Sequence, residues 1–76
     1  MPYFTTDQAE STMHDMIAYS LREQERIPDR HLMVERVLNE SPLYYAASRK
    51  LLRRVLLRKF ESILALATSE TITPRV

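Results

Sequence analysis

The sequence has no cysteine, no glycine and no tryptophan. Without cysteine it can form neither a disulfide nor a thiolate zinc site. Without glycine it lacks the residue that left-handed turns and phosphate-cradling loops normally need, because a Cβ clashes at positive φ. The P-loop, the dinucleotide fingerprint and the Asn-Gly hairpin turn are therefore excluded. No uncharged apolar run approaches the roughly 20 residues that span a bilayer. Residues 1–6 show neither the basic start nor the apolar run of a signal peptide. A cytoplasmic location, with no membrane contact, is the expectation.

What is present is a chain of 76 residues, 45% of them hydrophobic. That suffices for one folded domain over residues 1–76 and for no second one. A core of this size rarely contributes more than about 3–5 kcal/mol. With disulfides excluded, and with only His14 and His31 as histidines, a second copy of the chain is the expected extra source of stability.

The net charge is +1, but it is unevenly spread. Residues 1–41 carry four basic and eight acidic side chains, a balance of −4. Residues 42–76 carry seven basic and two acidic ones, a balance of +5. Such asymmetry fits a nucleic-acid surface, and it fits equally two segments that attract each other.

Three helices are predicted. Residues 1–5 read as a flexible tail, with Thr5 or Thr6 as cap and Thr5 with Gln8 as a capping box. From Asp7 to about Glu25, the residues Ala9, Met13, Met16, Ile17 and Leu21 recur at helical spacing. Arg26-Ile27-Pro28-Asp29 ends this helix, since a residue before proline is pushed out of the helical region. Asp29 then caps a short second helix, from about Arg30 to Asn39, whose apolar face is Leu32, Met33, Val34, Val37 and Leu38. Ser41-Pro42 starts the third helix, with proline at the position where its missing N–H costs nothing. This helix is expected to run to about Ala67, with residues 68–76 flexible.

The third helix carries the functional information. On a helical wheel Arg49, Lys50, Arg53, Arg54 and Arg58 share one half. Tyr44, Tyr45, Ser48, Leu51, Leu52, Val55, Leu56, Ile63 and Leu66 share the other, which is expected to pack on the first two helices. Lys59 falls within this apolar arc, and either its stem reaches water or its ammonium meets an acid of the first helix. Leu57, Phe60 and Leu64 form a second apolar strip that a monomer would leave in water, and they are the expected homodimer contact. The alternative is that the strip belongs to a wide core.

The basic cluster has three readings. It is a solvated face paired with the acidic first helix, a surface for an acidic protein partner, or a nucleic-acid surface that neutralises phosphates. Glu40-Ser41-Pro42 is tight enough for a helix-turn-helix. The next helix, however, begins Leu43-Tyr44-Tyr45-Ala46-Ala47, apolar where base contacts would be made. Tyr44 and Tyr45 suit a core or interface better than a base-stacking platform.

Catalysis is not expected. Nucleophilic chemistry needs a nucleophile, a base and an orienting group in contact, and the two histidines come with no such motif. Their spacing matches no metal site, and the carboxylates scatter over helix faces. No catalytic residue, cofactor or metal ligand is assigned.

The order of Met13–Leu21, the break at Ile27-Pro28-Asp29, then Leu32–Glu40 and Leu43–Phe60 resembles the AriR-like biofilm-associated two-component connector regulators of enterobacteria. The resemblance covers about fifty residues and implies a bacterial, dimeric, helical regulator that binds a signalling protein or DNA. It assigns no individual residue.

The sequence thus predicts an all-α protein of two shorter helices and one long one, forming a homodimer. Its expected function is that of a non-catalytic regulator or adaptor that binds a protein partner. The alternatives are a DNA- or RNA-binding regulator using the basic face, and a phage-type inhibitor of a host enzyme.

Overall fold

A computed structural model of the chain describes residues 6–40 and 46–71, and the side chains of all of these except 46–48. It is all-α. Helix α1 spans Thr6–Arg22, α2 Arg30–Asn39 and α3 Ala46–Thr71, and no strand occurs among the described residues. The terminal tail 1–5, the capping role of Thr5, the start at Ser41-Pro42, Leu43, Tyr44, Tyr45 and the last residues 72–76 lie outside the described part.

Helix α1 forms because Ala9, Met13 and Ile17 repeat every four residues and are fully buried together. Met16 and Leu21 flank them, half-buried. The helix stops at Arg22, three residues earlier than its periodicity predicts. The cause is a left-handed residue, Gln24, at φ 56°. Around it the Gln24 N–H donates to the Leu21 carbonyl (3.2 Å) and the Glu25 N–H to the Ser20 carbonyl (2.8 Å). This paired pattern closes helix ends and usually has glycine at the left-handed position. A chain without glycine makes the turn with glutamine instead.

The connector leads through Ile27, packed on the core, to Asp29. There the backbone is extended, and the side chain accepts a hydrogen bond from the Leu32 N–H at 3.1 Å. Both the cap and the bounds of α2 agree with the sequence. Met33, Val34, Val37 and Leu38 are buried, while Leu32 stays half exposed.

Helix α3 is one unbroken rod of about 39 Å that lies against both other helices. It continues to Thr71 and so includes the expected frayed residues 68–71. Its buried residues are Leu52, Leu56, Phe60, Ile63 and Ala67. The predicted arc differs. Leu51 and Leu66 are more than half exposed, Val55 is half-buried, and Phe60 and Ala67 occupy the interior. The buried arc is turned by roughly 70° about the helix axis from the expected one. Helix α3 has leucine on every side, so apolar content alone does not fix its rotation. Contact with two helices at once does.

Candidate functional site

Among the described residues of α3, the buried row is flanked by a charged residue on each side. One turn before Leu52 stands Arg49. Its Nη1 donates to the Leu38 carbonyl at 2.8 Å and its Nη2 to Asn39 Oδ1 at 3.0 Å. The last carbonyls of a helix have no partner within it, so Arg49 caps α2 from the neighbouring helix. At the other end, one turn beyond Ala67, Glu70 Oε1 lies 2.7 Å from His14 Nε2 on α1. The second ring nitrogen of His14 lies 3.3 Å from Asp15 Oδ1. Hydrogen bonding to Glu70, and then to Asp15, raises the His14 pKa above its ordinary value.

Two further cations of α3 are also taken up internally. Arg53 donates from Nε to Glu35 Oε2 and from Nη2 to Glu35 Oε1 at 3.3 Å, forming a fork on α2. The guanidinium holds the Glu35 carboxyl below its ordinary value, more strongly than desolvation raises it. Arg49 adds a smaller pull from 4.0 Å. Lys59 keeps half its side chain in water, and its Nζ meets Glu10 Oε2 of α1 at 3.1 Å. The two possibilities foreseen for Lys59 therefore hold together.

The basic cluster is thereby divided. Arg49 and Arg53 are fasteners between α3 and α2, not the acidic first helix. Lys50, Arg54 and Arg58 are exposed and have no acidic partner among the described residues. They stand at i, i+4 and i+8, a row about 12 Å long on the side of α3 away from the core. Exposed Leu51 adjoins it.

The strip expected to meet a second copy packs largely within the chain's own fold. Phe60 is 5% exposed and belongs to the core, and Leu57 and Leu64 are half-buried and packed against that core. The premise of an apolar strip left in water is not met, because the rotation of α3 turns Phe60 inward. The large apolar side chains that α3 does expose are Leu51 and Leu66, at 57% and 53%.

Among the described residues, no three of the His, Asp and Glu side chains are grouped as a metal ion requires. No described helix is long and apolar enough to cross a membrane. His31 is exposed in the first turn of α2. Not foreseen is a groove of about 420 Å³ between α1 and α2, lined by Met16, Tyr19 and Met33 with Asp15, Glu25 and Glu40 at its edge. Its residues come from α1, from α2 and from the segments that follow them, and no spacing within either helix marks it.

No protein-family model, curated protein or solved structure matches the chain.

Proposed function

We propose that the chain is a non-catalytic regulatory or adaptor protein that binds an acidic partner protein through the outer face of α3. The observation that carries this reading is the row of Lys50, Arg54 and Arg58. These three cations remain after Arg49, Arg53 and Lys59 are consumed within the fold. A solvent-exposed row of like charge gives fast, salt-sensitive recognition of an acidic surface.

Magnitude favours protein over nucleic acid. Duplex binders commonly neutralise about 6–10 phosphates, and a row of three cations gives a salt slope of only about −3. DNA or RNA binding stays the alternative for the same face. On this reading the homodimer expected from the small core uses exposed Leu51 and Leu66 in place of Leu57, Phe60 and Leu64.

The test compares the tagged protein with a variant carrying Lys50→Glu, Arg54→Glu and Arg58→Glu, in nuclease-treated extract of the source cells. The reading expects an acidic protein held at low salt, released at high salt and lost with the variant. An identical retained set for both proteins contradicts it.

A further inference from the structure

The groove between α1 and α2 lies apart from the α3 row, since no described α3 side chain lines it. Met33 forms its buried floor, Met16 is half-buried, and Tyr19 stands 51% exposed at its wall. Methionine is unbranched and polarisable, so a wall built from it adapts to an incoming apolar side chain. Among the described residues, the rim carries Asp15, Glu25 and Glu40 against one cation, Arg36. Asp15 is shared with His14. Glu25 and Glu40 have no basic partner among the described residues.

We propose that this groove is a second docking site, and that its occupant is an amphipathic helix of a partner protein with lysine or arginine flanking a short apolar stripe. The α1 wall, from Thr12 to Ser20, is about 12 Å long, which matches two turns of helix. A cleft between two packed helices accepts the side-chain ridge of a third, and anchors at i, i+3 or i+4 are the usual mode. The acidic rim selects the charge of the flanks. Its sign is opposite to that of Lys50, Arg54 and Arg58, so the two faces recruit different partners. This is what an adaptor requires.

The experiment uses the full chain with methyl-labelled methionine and ¹⁵N. The probe is a synthetic helical peptide with leucine along one face and lysine on its flanks. The control peptide has glutamate in place of each lysine. The proposal expects saturable shifts at the Met16 and Met33 methyls and the Tyr19 amide with the lysine peptide. It expects roughly tenfold weaker binding with Glu25→Lys plus Glu40→Lys, as the loss of two exposed ion pairs gives. Binding should be unchanged by Lys50→Glu, Arg54→Glu and Arg58→Glu, so failure of the α3 reading leaves this result intact. Absence of saturable shifts at the groove overturns the proposal, as does equal binding of the glutamate peptide. Concentration-dependent shifts of Met16 and Met33 in the protein alone would assign the groove to a second copy and overturn it too.

Discussion

His14 Nε2 on α1 lies 2.7 Å from Glu70 Oε1 near the end of α3, fifty-six residues further along the chain. The contact ties the start of the fold to its last described turn, and protonation of the imidazole strengthens it. The folded-state pKa of His14 lies above its unfolded value. The protonated contact therefore adds stability that is fully present below about pH 6.5 and is lost as pH rises through the folded-state value. Both groups are partly exposed, so the effect is below about 1 kcal/mol. Urea denaturation between about pH 5.5 and 8.5 should show the wild type losing stability relative to His14→Gln. Parallel pH profiles would exclude the contact in solution.

Arg49 is a cap for α2, not a free binding residue. Arg49→Met leaves the Leu38 carbonyl without its donor and lowers stability by about 1 kcal/mol. Arg49→Lys restores only part, because an ammonium lacks the planar fork that reaches both the Leu38 carbonyl and Asn39. Denaturant midpoints measure both, and hydrogen exchange should quicken first at the end of α2.

Gln24 occupies a left-handed position that favours glycine. Gln24→Gly removes the Cβ clash but adds unfolded-chain entropy, for a net gain of about 0.5–1 kcal/mol. A lower melting temperature for Gln24→Gly would show that the turn at Gln24 does not form as described.

Phe60 is a core residue. Phe60→Ala costs about 3–5 kcal/mol, which equals the whole stability expected of so small a core, and the circular dichroism of a folded helical protein should be lost. A folded Phe60→Ala protein with a changed oligomeric state would return Phe60 to the interface role that its sequence position suggested.

Sedimentation at rising concentration tests the placement of the second copy. A wild-type dimer that becomes a monomer with Leu51→Lys and Leu66→Lys is the expected outcome. A dimer indifferent to both substitutions contradicts it.

The helices were legible where the chain punctuates itself. Pro28 and Asp29 fix the start of α2 to the residue, since proline bars the preceding residue from the helix and the aspartate caps the next turn. The end of α1 was not legible, because glutamine rarely takes a left-handed backbone and nothing local marks Gln24. The rotation of α3 was hidden by Leu51, Leu57, Leu64 and Leu66, which surround the helix. That rotation decides which arginines face α2. Arg49 and Arg54 look alike in sequence, yet the first bonds a carbonyl of α2 and the second faces water. The His14–Glu70 contact joins positions too distant for any spacing to reveal.

The division of the basic cluster is the central claim, and one paired measurement tests it most directly. Melting temperature and retention of the acidic partner are read for two variants, Arg49→Ala with Arg53→Ala, and Lys50→Glu with Arg54→Glu and Arg58→Glu. The first variant should melt earlier yet retain the partner below its transition, whereas the second should keep its melting temperature and lose the partner. Loss of the partner with the first variant and its retention by the second would show that Arg49 and Arg53, not the outer row, bind the partner.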